Sequence, residues 1–199
     1  MTRLICACGS SQTGEQQGIR QPVETLSKKI CMLGDFAVGK TSLVRRFVYD
    51  TFDDRYLSTI GVKVSRKLLP VAGGDRVADL TMILWDLAGS EEFSQMRRAY
   101  LRGAAGALLV YDLTRTETLA SLGDYADQLL QINSNAAVVI VANKSDLVAA
   151  GGNDNGIAVA TLDGRALAGS LDAPFLTTSA LTGANVEDAF RQLGQRVVS

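Results

Sequence analysis

Eight residues in the first quarter of the chain have the types and spacing that phosphate binding needs. Residues 34–41 read GDFAVGKT, which matches the pattern G-x-x-x-x-G-K-[ST]. In such a loop successive backbone N–H groups converge on phosphate oxygens, and the following helix adds the positive end of its dipole. Lys40 adds a full charge, and the Thr41 hydroxyl can hold Mg²⁺. The predicted phosphate-binding residues are Gly34, Asp35, Phe36, Ala37, Val38, Gly39, Lys40, Thr41 and Ser42.

The alternative for this segment is an ordinary glycine-rich turn between a strand and a helix. A lysine in the first turn of a helix is disfavoured by the macrodipole, so Lys40 would be badly placed without a bound anion. The flanks also fit a strand before the loop and a helix after it. Residues 29–33 form a short apolar run, and residues 42–48 have apolar positions at helical spacing. We therefore favour phosphate binding and call residues 34–41 the phosphate loop.

A second motif follows the apolar run at residues 80–85 and consists of Asp86 and Gly89. A carboxylate at this point can reach a Mg²⁺ ion through a water molecule. Gly89 can offer its N–H to a terminal phosphate, because no side chain blocks the approach. The D-x-x-G pattern is weak alone and gains weight only beside a phosphate loop.

A third motif, Asn143-Lys144-Ser145-Asp146, follows the apolar run at residues 138–142. One reading is a helix cap, with Asp146 beginning a turn. The other is selection of guanine, since a carboxylate accepts hydrogen bonds from its N1–H and 2-amino groups. Adenine lacks these donors and would leave the carboxylate unsatisfied. The Lys144 stem would cover the base, and the Ala180 N–H, after a further strand, would meet the guanine carbonyl.

The polar segment 52–61 lies between the first predicted helix and the second predicted strand and lacks clear periodicity. It is long enough to move. Thr59 within it is the natural candidate for a second hydroxyl ligand of Mg²⁺.

Alternating strand and helix patterns position these motifs. Strands are predicted at residues 28–34, 62–70, 78–86, 105–112, 136–143 and 173–178, and helices at residues 39–49, 91–102, 116–132, 158–170 and 184–197. The short, turn-rich link at residues 71–76 predicts an antiparallel hairpin. The other connections contain helices, which predicts an α/β fold with a mostly parallel sheet, one antiparallel edge strand and helices on both faces. Ligands of such sheets bind at the carboxyl ends of the strands, where the motifs fall.

Composition sets further bounds. The chain has 199 residues, 47% of them hydrophobic, a formal net charge of −1 and no histidine. These values exclude histidine chemistry and do not favour a nucleic-acid surface. The three cysteines, Cys6, Cys8 and Cys31, indicate a reducing, cytoplasmic compartment. Residues 1–26 are predicted to be a flexible N-terminal extension and residues 27–199 a single domain.

Together these stretches resemble the Ras superfamily of small GTPases, and most of all its Rab-like branch. The resemblance is carried by GDFAVGKTSLVRRF, YLSTIGVKV, WDLAGSEEF, LLVYDLT, NKSDL and TSAL, in this order. It implies the P-loop NTPase fold with six strands, and two switch segments at residues 56–61 and 89–98 that GTP orders. It implies Mg²⁺ as cofactor, held by Thr41, Thr59 and, through a water, Asp86. The implied guanine contacts are Phe52, Asn143, Lys144, Asp146, Ser179, Ala180 and Leu181. The implied catalytic residues are Lys40, Thr59, Gly89 and Ser90.

Three positions depart from the family pattern. Ser90 stands where small GTPases usually place a glutamine that orients the attacking water. Phe36 occupies a position that is normally small, so it would crowd an arginine finger from an activator. The chain ends QRVVS, without a cysteine for prenylation, so no C-terminal lipid anchor is expected. With the alanine-rich composition, this ending hints at a bacterial or otherwise unanchored relative. Cys6 and Cys8 are either acylated or, as we favour, plain thiols.

The expected function is a switch that binds Mg·GTP or Mg·GDP and slowly hydrolyses GTP. One alternative is a GTP-binding scaffold that does not hydrolyse, and another is a different P-loop enzyme such as a kinase or ATPase. Expected partners are GTP, GDP, and protein effectors and regulators that contact the switch segments, with no nucleic acid. Partners would recruit the protein to membranes.

Overall fold

A computed structural model describes residues 24–53, 59–73, 76–89, 94–149 and 154–199. The strands are β1 (Glu24–Leu33), β2 (Val62–Gly73), β3 (Arg76–Leu87), β4 (Ala104–Asp112), β5 (Ala137–Asn143) and β6 (Phe175–Thr177). The helices are α1 (Lys40–Tyr49), α2 (Ser94–Leu101), α3 (Glu117–Ala120), α4 (Leu122–Ile132), α5 (Ser145–Ala149), α6 (Asp154–Ser170) and α7 (Val186–Val198). None of these helices combines the length and apolar character that crossing a bilayer requires.

The strands form one six-stranded sheet in the order β2-β3-β1-β4-β5-β6. β2 runs antiparallel to β3, and every other neighbouring pair is parallel. The predicted fold class is therefore confirmed, including the antiparallel edge strand. Because β1 lies between β3 and β4, the loop after β1 emerges in the middle of the sheet, beside the ends of both neighbours.

Side-chain alternation along the strands divides the core between the two faces of the sheet. In β1, Ile30 and Met32 belong to a cluster with α1 and α7, whereas Cys31 and Leu33 belong to a cluster with α4. In the first cluster the rings of Phe47 and Phe190 stack with centroids 4.0 Å apart. The period-two pattern of a parallel strand buried on both faces thus accounts for helices on both sides.

Several element boundaries differ from the prediction. β1 begins at Glu24, so residues 24–26 of the predicted extension pair with β3 instead. The hairpin strands run through most of the predicted link, because Val71 pairs with Ala78 and both are buried. Residues 74–75 of that link lie outside the described residues.

The predicted helix at residues 116–132 is in fact two helices, α3 and α4. α3 ends at Ala120 and α4 begins at Leu122, so the break between the two helices falls at Ser121. The Tyr125 N–H donates to the Ser121 carbonyl at 3.2 Å, in the first turn of α4. The short helix α5 was not predicted, because five residues are too few to show a period.

Candidate functional site

A pocket of about 480 Å³ opens at the carboxyl ends of the parallel strands. It is bordered by the phosphate loop on one side and by the Asn143–Asp146 motif on the other. Its lining comprises Phe36, Ala37, Gly39, Lys40, Thr41, Ser42, Arg45, Phe52, Asp53, Thr59, Leu87, Gly89, Asn143, Lys144, Asp146, Leu147, Ala180 and Leu181. Residues named from distant parts of the sequence therefore meet at one cavity. Ser90 and residues 54–58, which carry part of both predicted switches, lie outside the described residues.

The phosphate loop packs tightly against its surroundings at two glycines. A Cβ on Gly34, whose φ is 137°, would collide with the Val110 carbonyl of β4. A Cβ on Gly89, which faces the loop, would lie 2.6 Å from the Asp35 carbonyl carbon and 2.7 Å from the Lys40 Nζ. Glycine is therefore required at both positions, and the D-x-x-G motif directly contacts the loop.

Lys40 begins α1 and is only 7% exposed. Its Nζ donates to the Gly34 carbonyl at 2.7 Å and to the Asp35 carbonyl at 2.8 Å. Burial lowers the pKa of Lys40 to about 8, partly opposed by the charges of Asp86 and Asp35. Among the described residues, the hydrogen-bond partners of this buried ammonium are two carbonyls. A bound anion would stabilise the charged form that burial disfavours.

Two carbonyls of the phosphate loop are held by side chains from other elements. The Phe36 carbonyl accepts from Arg115 Nη2 at 2.8 Å, and the Val38 carbonyl accepts from Asn143 Nδ2 at 2.9 Å. In a trans peptide the carbonyl and the next N–H point in opposite directions, and the described residues contain no cis peptide. The N–H groups of Ala37 and Gly39 are thus turned away from these donors. In these two peptides the carbonyl points out of the loop and the N–H points the opposite way, as a loop that binds phosphate through its N–H groups requires.

The two threonines and Asp86 form an oxygen cluster beneath the loop. Thr41 Oγ1 lies 2.8 Å from Thr59 Oγ1 and donates to Asp86 Oδ2 at 2.5 Å. Asp86 is 1% exposed, and its Oδ1 has no hydrogen-bond partner among the described residues. Burial raises the pKa of Asp86, against the bond from Thr41 and the charge of Lys40. Hydroxyl and carboxylate oxygens with one buried oxygen unsatisfied fit Mg²⁺, a hard cation.

On the other side of the pocket, buried hydroxyls orient Asp146 and Asn143. Ser179 Oγ donates to Asp146 Oδ1 at 2.5 Å, and Thr178 Oγ1 donates to Asn143 Oδ1 at 3.1 Å. Thr178, Ser179 and Asn143 are almost fully buried. Asp146 lies in the first turn of α5, where the helix dipole favours a carboxylate. The two sequence interpretations of this motif are therefore compatible.

Lys144 is held by a carboxylate that the sequence analysis did not single out. Its Nζ lies 2.6 Å from Oδ2 of the buried Asp112, and its own φ is 66°. Burial alone would raise the pKa of Asp112, but hydrogen bonds from Lys144 and Thr114 outweigh burial and hold that pKa below its usual value. The sequence offered one signal for this role, since Asp112 directly follows the apolar run of β4.

The Asp35 carboxylate of the phosphate loop is also anchored by residues that sequence reasoning missed. Ser121 Oγ donates to it at 2.9 Å and Tyr125 OH at 3.0 Å. The buried guanidinium of Arg97, on α2, lies 4.3 Å from the centroid of the Tyr125 ring. The loop is thereby connected to α4 and, through the aromatic ring, to α2. No local sequence pattern marks these partners.

Comparison with known proteins decides the family. The Ras family model matches residues 29–199, which is nearly all of the described chain. The chain belongs to the Ras family. It is 38% identical over 170 residues to Ras-related protein RABA5a of Arabidopsis thaliana, covering 85% of this chain and 72% of that protein. It is 36% identical over 172 residues to Ras-related protein Rab-4A of Homo sapiens, covering 86% and 74%.

A further relative is Ras-related protein Rab11E of Lotus japonicus, 39% identical over 166 residues, with 83% of this chain and 72% of that protein covered. The resemblance to Rab-like small GTPases is therefore confirmed. Members of the Ras family are GTPases and nucleotide-dependent switches, so the general activity follows from membership.

Proposed function

We propose that this Rab-like small GTPase is a slow switch that binds guanine nucleotides with Mg²⁺ and hydrolyses GTP to GDP and phosphate. The main support is that the phosphate loop, the Thr41–Thr59–Asp86 cluster and Asp146 border or underlie one pocket. The pocket thus offers a phosphate cradle, a cation site and a carboxylate for the base in one place.

Residues 34–42 would hold the phosphates, with Lys40 supplying the charge that the backbone N–H groups lack. Thr41 and Thr59 would ligate Mg²⁺, and Asp86 would act through a water. A bound Mg²⁺ neutralises charge that develops on the phosphate oxygens during transfer. Gly89 lies close enough to Lys40 to present its N–H near a terminal phosphate.

For the base, Asp146 would accept from the N1–H and 2-amino groups of guanine. Ser179 fixes one carboxylate oxygen, which keeps Asp146 in one orientation. Asn143 lines the pocket, while its amide also positions the phosphate loop. Lys144, Phe52, Ala180 and Leu181 would enclose the base, since all four line the same cavity.

Two residues support slow hydrolysis. Ser90 is too short to orient the attacking water as a glutamine would. The Phe36 side chain is 47% exposed at the pocket, where it would obstruct an arginine from an activator. An arginine finger contributes about 10³–10⁵ in rate where it is used, so losing access to one leaves turnover slow.

The competing proposal is a scaffold that binds GTP without hydrolysing it, favoured by the same two residues. Single-turnover hydrolysis with purified protein and Mg·GTP separates the two. We expect phosphate release above the uncatalysed rate. Release equal to that of GTP alone, with nucleotide demonstrably bound, would support the scaffold and exclude the switch.

Effectors and regulators would contact residues 56–61 and 89–98, the proposed switches, and would recruit the protein to membranes from the cytoplasm. Residues upstream of β1 would form an extension outside the domain. Comparable affinities for ATP and GTP would instead favour another class of P-loop enzyme.

A further inference from the structure

Arg115 connects the phosphate loop to the end of β4 through two nitrogens of its guanidinium. Nη2 donates to the Phe36 carbonyl at 2.8 Å, and Nε donates to Asp112 Oδ2 at 3.1 Å. Its backbone is also fixed, because its N–H bonds to the Asp112 carbonyl at 2.9 Å and its carbonyl accepts from Thr118 Oγ1 at 2.6 Å. The side chain therefore extends from a rigid turn.

The peptide that Arg115 holds is strained. Ala37 has φ of 61°, a left-handed conformation that residues with a Cβ disfavour. Rotation of the Phe36–Ala37 peptide plane would bring Ala37 back to a negative φ. The same rotation would turn the Ala37 N–H away from the pocket that Ala37 lines. A partner on the Phe36 carbonyl opposes this rotation.

We propose that Arg115 is a positioning residue that holds the Phe36–Ala37 peptide so that the Ala37 N–H faces a bound nucleotide phosphate. The inference rests on the proposed function, in which this loop binds phosphates. Asn143 holds the Val38–Gly39 peptide in the same way, so alternate peptides of the loop are each fixed from outside.

Asp112 makes the bridge rigid. The carboxylate is 1% exposed and also pairs with Lys144 Nζ at 2.6 Å. Lysine at position 115 would keep the positive charge, but one ammonium on a flexible stem cannot reproduce a planar fork that meets two fixed acceptors. The role therefore belongs to the shape of the guanidinium as well as to its charge.

The test is the dissociation rate of a fluorescent GDP analogue from the full chain with Mg²⁺. We expect Arg115→Ala to release the nucleotide about tenfold faster, as loss of a charge-assisted bond predicts, and Arg115→Lys to recover only a minor part. Arg196→Ala is the matched control. Arg196 lies on α7, and its side chain is 40% exposed, against 37% for Arg115. Like Arg115, it donates to a backbone carbonyl, that of Asp172, at 2.6 Å. We expect it to match wild type.

A second comparison distinguishes peptide positioning from general stabilisation. Glycine adopts positive φ without strain, so Ala37→Gly removes the reason for the peptide to rotate. We expect Arg115→Ala to accelerate release by less than about threefold in the Ala37→Gly background. An equal acceleration in both backgrounds, wild-type release from Arg115→Ala, or full recovery by Arg115→Lys would each overturn the proposal. Failure of the wild-type chain to bind the analogue would instead overturn the proposed function.

Discussion

At the scale of single residues, the site consists of polar groups that are buried and held by hydrogen bonds within the protein. Lys40, Asp86 and Asn143 are all nearly inaccessible. Lys40 donates within the phosphate loop, whereas Asp86 and Asn143 are bonded to that loop from β3 and β5. Burying such groups is unfavourable unless they are paired, so their placement indicates a site organised for a charged ligand. Two predictions concern these side chains.

Replacing Lys40 by alanine should weaken GTP binding by at least about 100-fold, because charge-assisted bonds to phosphate each contribute roughly 1.5–3 kcal/mol. Titration calorimetry with Mg·GTP measures the change. Lys67→Ala is the control. It removes an ammonium on the edge strand β2, where Lys67 Nζ donates to the Val48 carbonyl of α1. Unchanged affinity in Lys40→Ala would contradict the phosphate-loop interpretation.

Asp146→Asn should shift base preference from guanine toward xanthine, whose O2 can accept a hydrogen bond from the new amide. Competition between GDP and XDP for a fluorescent nucleotide reports the ratio of affinities. We expect the ratio to move by at least about tenfold, since a site with unpaired buried groups rejects the wrong base strongly. Asp127→Asn, on the exposed side of α4, should leave the ratio alone. The same guanine preference in both variants would remove Asp146 from the base site.

At the scale of elements, the phosphate loop is supported from both faces of the sheet. α1 begins at the loop and packs on α7 through Phe47 and Phe190. On the other face, Asp35 is anchored by Ser121, which precedes α4, and by Tyr125 of α4. The loop is thus fixed at its exit by a helix and along its length by side chains.

Phe190→Ala should lower the free energy of unfolding by about 3–5 kcal/mol, because it removes a fully buried ring and leaves a cavity beside Phe47. Urea denaturation of the nucleotide-bound protein measures the loss. Leu162→Ala is the control, since Leu162 is exposed on α6 and its truncation should change stability by less than about 0.5 kcal/mol. Similar losses in the two variants would show that α7 does not hold the core together.

At the scale of the whole molecule, the sheet order brings the ends of β1, β3 and β5 to one edge. The residues of that edge come from parts of the chain as far apart as the phosphate loop and Leu181. The proposed cation, phosphate and base sites therefore require the complete sheet. Two predictions belong to this assembled site.

Removal of Mg²⁺ with EDTA should accelerate GDP release by at least about tenfold. The Thr41 and Thr59 hydroxyls would lose the cation that we propose they share with the nucleotide phosphates. Stopped-flow fluorescence measures the rate, and added excess Mg²⁺ should restore it. A rate that EDTA does not change would argue against a cation bridging this cluster and the phosphates.

If the missing glutamine limits GTP hydrolysis, Ser90→Gln should raise the single-turnover rate about tenfold or more. Ser94→Gln, at the start of α2, adds the same side chain further along the chain and serves as control. No acceleration in Ser90→Gln would point to Phe36 or to a partner as the limit.

The sequence alone determined the motifs, their order, the antiparallel edge strand and the family, because the patterns involved are local. The phosphate loop, Asp86, Gly89 and Asp146 each follow an apolar run, and parallel strands present their carboxyl ends at one edge.

Only the tertiary structure decided which side chains support the loop. Arg115 meets the Phe36 carbonyl across 79 residues, Tyr125 meets Asp35 across 90, and Asn143 meets the Val38 carbonyl across 105. These contacts depend on strand register and sheet order, which no local spacing encodes. The motifs predict the class of ligand, and long-range hydrogen bonds orient the loop peptides that we propose bind it.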